Sequence, residues 1–223
     1  MPKLNIAIDG PAGAGKSTIA KMVSRALGIL YIDTGAMYRT VAYQVLKVGI
    51  DVKNVQKVAQ LVQKIEISIS HIDGDQRISL DGKDVTDLIR LPEVSMGASD
   101  VAAVPEVRMK MVELQRKIAE NNNVVMDGRD IGTFVLPDAN LKIFLTATVE
   151  ERSNRRYIEL VNKGVAGMSL DDVRNDIEKR DHKDQNRAFA PLKKAVDAYE
   201  VDTTGLSIQE VAERIILLVR DIK

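Results

Sequence analysis

The chain has 223 residues, 32 Lys plus Arg against 32 Asp plus Glu, three Phe, five Tyr, no Trp and no cysteine. That length suits one large domain or one domain carrying an insertion, and the missing cysteine excludes disulfides, thiolate metal sites and cysteine nucleophiles. Balanced charge with so few aromatic residues leaves no footprint for DNA, RNA or an anionic membrane as partner.

The N-terminal "MPKLNIAIDG" is too short in its apolar part to serve as a signal segment, and the longest apolar run, "IILLV" at 215–219, is far short of a membrane span. A soluble, cytoplasmic, monomeric protein is therefore expected. "LNIAI" is predicted to be a buried strand, and "GPAGAGKST" at 10–18 follows it directly. Gly10 to Ser17 fits G-x-x-x-x-G-K-[ST]. A polyphosphate is a dense anion, and consecutive backbone N–H groups ahead of a helix N-terminus form a concave site for it. On this reading Gly10, Pro11, Ala12, Gly13, Ala14, Gly15, Lys16, Ser17 and Thr18 bind the phosphates of a nucleoside triphosphate. Lys16 reaches the terminal phosphates and the Ser17 hydroxyl ligates Mg²⁺.

A helix is predicted from Lys16 to Gly28, then a strand "ILYI" at 29–32. In "YIDTGAMYR", Asp33 and Thr34 end that strand, and Tyr38 and Arg39 sit on the next helix with Met37, Val41 and Val45. Arg39 either holds a second phosphate or belongs to a solvated helix face. "IEISISHI" at 65–72 alternates strictly, and so does "RISLDGKDV" at 77–85 around Asp81-Gly82. That pattern predicts small antiparallel strands with tight turns, as an inserted subdomain at about 65–90 or as an edge hairpin of the main sheet.

A helix follows with Pro105 in its first turn and Val107, Met111, Leu114 and Ile118 on one face. "VVMDGRD" at 124–130 puts Asp127 at a strand end, where a carboxylate suits Mg²⁺ or simply a turn before Gly128, with Arg129 and Asp130 just beyond. After the strand "LKIFLTA" come "EERSNRR", with Arg152, Arg155 and Arg156, and "KRDHKDQNR", with Arg180, Asp184 and Arg187. Either segment is a charged helix face, or the two together surround moving phosphate charge. "YEV" at 199–201 is a last strand, and Ser207 with Glu210 opens a last helix. His71 and His182 lack metal-ligand spacing and are expected to be surface or packing residues. Asn162-Lys163 continues as Gly164-Val165, so that pair is no guanine-reading N-K-x-D element. Strands alternating with helices predict an α/β domain with a mostly parallel sheet.

Taken together, "GPAGAGKST", "DTGAMYR", "ASDVAAVPEVR", "DGRDIGT", "KIFLTA" and "RDHKDQNRAFAPL" resemble the bacterial cytidylate kinases, in order and over nearly the whole chain. The resemblance implies a single phosphate-loop kinase domain over 1–223 with a five-stranded parallel sheet. It also implies a small β insertion and a mobile helical lid at about 150–168 that carries Arg152, Arg155 and Arg156. It implies ATP as donor, CMP and dCMP as acceptors, and catalytic roles for Lys16, Arg129, Arg155 and Arg156. It carries the acceptor site onto Thr34, Tyr38, Arg39, Ser99, Arg108, Arg129, Asp130, Arg180, Asp184 and Arg187. Within that set Ser99, Arg108 and Asp130 surround the base, and Arg180 and Asp184 address the pentose. Mg²⁺ falls to Ser17 and Asp127. Thr34 stands where other members have serine, and Ser17 where some have glycine.

Overall fold

The computed structural model describes residues 3–165 and 167–221. The first strand, β1 (Asn5–Asp9), buries Ile6, Ala7 and Ile8 completely, as a central parallel strand covered on both faces must. The chain then runs through α1 (Lys16–Leu27), β2 (Leu30–Asp33), α2 (Thr34–Lys47) and α3 (Val55–Val62). Next come β3 (Ile67–Ile72), β4 (Asp75–Leu80) and β5 (Lys83–Asp84), followed by α4 (Pro92–Val101) and α5 (Pro105–Asn121). The remainder is β6 (Val124–Gly128), β7 (Leu141–Thr146), α6 (Val149–Asn162), α7 (Leu170–Asn186), β8 (Tyr199–Asp202) and α8 (Ile208–Asp221).

Five strands form one all-parallel sheet in the order β2-β6-β1-β7-β8. One face is covered by α1 and α8, through Ile19, Val23, Val211, Ile215 and Val219. The other face is covered by α5, through Val112 and Ala119 against Ile32 and Met126. Because every strand enters the sheet in the same direction, all five carboxyl ends open on one edge, where α/β proteins place ligands.

The alternating segment forms its own antiparallel sheet, β3-β4-β5, rather than a hairpin added to the main one. Ile78 and Leu80 pack inward against the cluster that includes Val41 and Val45 of α2. Its two connections are Asp73-Gly74 and Asp81-Gly82, both with positive φ at both residues, the backbone that matches strand twist in a two-residue hairpin. The helices α3 and α4 are additional to those read from the sequence pattern. Ala166, inside the segment expected as a lid, and residues 1, 2, 222 and 223 of the expected domain lie outside the described residues.

Candidate active site

The segment from β1 to α1 approaches β7 so closely that only glycine fits at its first position: a Cβ on Gly10 would lie 2.1 Å from the Leu145 carbonyl oxygen. The loop delivers α1 with Gly15 as N-cap and no side chain capping it, so the first-turn N–H groups stay available to an anion. Lys16 is buried and folds back, its Nζ donating to the Pro11 carbonyl at 2.6 Å. Burial, and then the positive charge of Arg129, push its amine down to about 7. The negative charge of an arriving polyphosphate counters both effects by favouring the protonated amine.

Ser17 Oγ donates to Asp127 Oδ2 at 2.9 Å, while the Tyr31 hydroxyl donates to the other carboxylate oxygen at 2.8 Å. Burial, and then the nearby charge of Asp33, raise the Asp127 carboxyl above its ordinary range. Thr34 Oγ1 donates to the Asp127 carbonyl at 2.7 Å, tying the start of α2 to the end of β6. A hydroxyl and a carboxylate converging beside a phosphate loop form an all-oxygen donor set. That set fits Mg²⁺, which takes one or two protein ligands and fills the rest with phosphate and water.

The residues that the resemblance assigns to the acceptor gather beyond β6. Asp130 Oδ1 accepts from Arg187 at 3.0 Å, and Oδ2 accepts from the fully buried Arg108. The Arg108 guanidinium lies 5.6 Å from the Tyr38 ring and 5.9 Å from the Phe189 ring. Burial, and then Arg108's charge, lower the pKa of Arg187. Asp184 Oδ2 accepts from Arg129 Nε at 2.7 Å. Arg39 donates to Asp33 at 2.7 Å, and Asp33 also N-caps α2 by accepting from Ala36 N–H. Burial acts to raise the Asp33 carboxyl, but Arg39 and that N–H hold it below its usual range. Arg180 donates to the Ser95 carbonyl at 2.6 Å, linking α7 to α4, where Ser99 is half-buried.

A single cleft of about 850 Å³ joins these groups. Gly13, Gly15, Lys16, Ser17 and Thr18 line it, as do Thr34, Tyr38, Arg39, Ser99, Arg108, Arg129, Asp130, Arg180, Asp184 and Arg187. Arg155 and Arg156 also line it, but here Arg155 donates to the Thr203 hydroxyl and carbonyl and Arg156 to Glu159. The three arginines after β7 thus differ. Arg152 is buried and donates to the Ala12 and Ala147 carbonyls and to Asp181.

Three structural contributors were not singled out from the sequence. Asp9 accepts from Ile131 N–H and Gly132 N–H, each at 2.8 Å, and so fixes the helical turn that begins just after Asp130. Burial outweighs these bonds and raises its carboxyl to about 6. Asp181 accepts from Ala12 N–H at 3.1 Å. The loop after β8, with Thr203, Leu206 and Ser207, completes the cleft beside Arg155. An acidic residue just before the phosphate loop was a visible signal for Asp9; the other two depend on distant chain segments meeting.

A family model described as cytidylate kinase matches residues 6–221. A cytidylate kinase from Desulfitobacterium hafniense (strain Y51) is 54% identical over 218 residues, covering 98% of this chain and 93% of that one. One from Clostridioides difficile (strain 630) is 55% identical over 216 residues, covering 97% and 98%. Among solved structures, a putative kinase from Chloroflexus aurantiacus aligns with a TM-score of 0.50 at 11% identity, over 100% of this chain and 98% of that one. Among the described residues no helix is long and apolar enough to cross a membrane.

Proposed function

The chain belongs to the cytidylate kinase family and is a nucleoside monophosphate kinase, and from that premise we propose that it transfers the γ-phosphoryl group of ATP to CMP and dCMP. The observation that carries this reading is the continuity of the cleft. One end holds the phosphate loop and Lys16, and the other holds the buried Arg108–Asp130–Arg187 arrangement.

An acceptor phosphate oxygen forms a bond to the γ-phosphorus while the bond to the β–γ bridging oxygen breaks, giving CDP or dCDP and ADP. That oxygen is already anionic at neutral pH, so no general base is required. The work is positioning two polyanions and relieving their repulsion. Lys16 and the open N-terminus of α1 hold the donor's terminal phosphates. Ser17 and Asp127 would hold Mg²⁺, which would supply neutralisation of the donor's phosphate charge.

Arg39, Arg129 and Arg187 hold the acceptor phosphate. Each now faces a carboxylate, Asp33, Asp184 or Asp130. Those carboxylates offset the repulsion among the arginines, and each guanidinium, with five N–H donors, keeps others for a doubly charged phosphate. Ser99, Arg108 and Asp130 read cytosine, with Thr34 and Tyr38 beside them, and Arg180 and Asp184 address the pentose. Arg155 and Arg156 leave Thr203 and Glu159 to reach the transferred group as 150–168 closes, which excludes water as a rival acceptor. The reading is completed by a single domain over 1–223 with 65–90 as its insertion, acting as a cytoplasmic monomer without nucleic acid or membrane partners. Balanced charge and the lack of cysteine are consistent with that setting.

Initial rates with ATP against CMP, dCMP, UMP, AMP and GMP test the proposal. CMP and dCMP are expected to have the highest kcat/KM; equal use of UMP or a purine nucleotide overturns it.

A further inference from the structure

The small antiparallel sheet meets the main sheet through two side chains. His71 on β3 and Gln76 on β4 are direct cross-strand partners, so both project from the same face. That face lies against β2. His71 Nε2 sits 2.8 Å from the Tyr31 carbonyl oxygen, and since a carbonyl only accepts, Nε2 carries the proton. Gln76 Oε1 accepts from Asp33 N–H at 2.8 Å, and Gln76 Nε2 donates to the Asp33 carbonyl at 3.3 Å. One side-chain amide, with its acceptor and donor in one plane, thereby satisfies both backbone groups of one residue.

The residue so gripped is not an arbitrary one. Asp33 starts α2 by accepting from Ala36 N–H at 2.9 Å, and it aims Arg39 by accepting from its Nη2 at 2.7 Å. The remaining polar anchors of the small sheet on this side are Lys21 and Arg25 to Asp75, at 3.5 and 3.8 Å. Both are solvent-exposed pairs of the kind that contribute little to alignment. Apolar packing joins Ile78 and Leu80 to a cluster that includes Ala36, Met37, Val41 and Val45 of α2, and Gln76 adds the polar bonds at Asp33, where that helix starts.

We infer that Gln76 is a positioning residue for the acceptor phosphate: with His71 beside it, it lets the inserted sheet fix Asp33 and, through Asp33, the direction of Arg39. The inference rests on the proposed role of Arg39 at that phosphate. It assigns the insertion a part in the reaction at a point where it need not touch the nucleotide.

The test uses the full chain with ATP and CMP. Gln76→Ala removes both bonds. The nearly isosteric Gln76→Glu keeps the acceptor for Asp33 N–H but sets a carboxylate oxygen against the Asp33 carbonyl. Two lost hydrogen bonds correspond to about 5- to 150-fold. Gln76→Ala is expected to raise the KM for CMP by that factor, and Gln76→Glu, which loses one bond and sets two acceptors together, to raise it as well, with the KM for ATP little changed. Binding of cytidine, which has no phosphate, is expected to stay as in the parent. In an Arg39→Ala background Gln76→Ala is expected to add less than about twofold, because the two changes act through one contact. If Gln76→Ala changes both KM values and kcat alike, or its effect multiplies with that of Arg39→Ala, the clamp is only structural and the inference is overturned. If Arg39→Ala raises the KM for CMP and Gln76→Ala and Gln76→Glu leave it unchanged, the clamp alone fails. If Arg39→Ala itself leaves that KM unchanged, the proposed phosphate role falls, and the inference with it.

Discussion

Arg152 and Asp181 hold the backbone N–H and carbonyl of one residue, Ala12, between them. The Ala12 N–H donates to Asp181 Oδ1, the Ala12 carbonyl accepts from Arg152 Nη1 at 2.9 Å, and the two side chains pair with each other. Their side chains are only 6% and 12% exposed, over a small apolar cluster of Ala12, Val173 and Ile177. The pair therefore fastens α6 and α7 to the phosphate loop. Removing one partner leaves the other charged and buried. Arg152→Ala is expected to lower the unfolding free energy by about 3–5 kcal/mol, read by urea unfolding. A loss under about 1 kcal/mol would mean that water reaches Asp181 and that the loop is held by other contacts.

Lys16 separates function from stability. Lys16→Met keeps the buried stem and deletes the charge, so kcat is expected to fall by about 10²-fold or more while the fold survives. The ligand-free protein should gain from the change at neutral pH. The lysine's folded pKa is about 7 against 10.5 for the free group, so between these values the unfolded chain binds the extra proton. Parent stability is then expected to rise with pH through that window, and Lys16→Met to flatten the rise. Urea unfolding at several pH values between 7 and 10 tests both halves; parallel slopes in the two proteins would refute the second.

Asp9 titrates with the opposite consequence. Its carboxyl is raised to about 6 from 3.8, so the folded state binds the extra proton between those values. The contribution is present in full below the unfolded pKa and is lost as pH rises through about 6, by about 3 kcal/mol at most. Asp9→Asn removes this slope, whatever it does to the absolute stability. The measurement is the difference in unfolding free energy between parent and variant from pH 4 to 7, expected to shift steadily against the parent. A constant difference would show that Asp9 keeps an ordinary carboxyl in the folded protein.

Asp130 tests how the base is read. Arg187 and Arg108 each take one of its oxygens, which fixes the carboxylate plane while leaving lone pairs free to accept. Cytosine N4 offers a donor to such a group, and uracil O4 offers only lone pairs. With a second mismatch at Arg108, two penalties of about 1–3 kcal/mol are expected to give CMP an advantage over UMP of about 30-fold to 10⁴-fold in kcat/KM. In Asp130→Asn that ratio is expected to collapse, because an amide presents a donor to O4. A ratio that survives the substitution would assign selectivity to shape.

Contiguous residues were legible and convergent ones were not. The phosphate loop lies in one short run, and the strands β1, β6 and β7 show as apolar runs because both of their faces are covered. The helix α4 escaped the pattern because PEVSMGASDV carries little intrinsic helix preference. Packing forms it instead: at Gly97 a Cβ would come within 3.1 Å of Val52 and 3.5 Å of Ala42, so the glycine lets α4 lie close on α2. Arg152, Arg155 and Arg156 look alike in sequence, yet only Arg152 is buried and bonded to the loop. What separates them is Asp181, 29 positions away from Arg152 and 169 from Ala12. Local spacing carries no trace of such a meeting. Gln76 was equally silent, since its importance lies in which backbone it faces.

The placement of His71 and Gln76 has a consequence for the molecule as a solution species. β2 is an outermost strand of the parallel sheet, and its outward N–H and carbonyl groups are met by side chains instead of by another strand. A bare rim of this kind is a template onto which a second molecule can add a strand. The insertion blunts that rim without lengthening the sheet. Cutting residues 65–90 back to a short loop, an obvious way to build a minimal kinase core, would uncover the pairing groups of Tyr31 and Asp33. The shortened protein would then tend to associate edge to edge and precipitate.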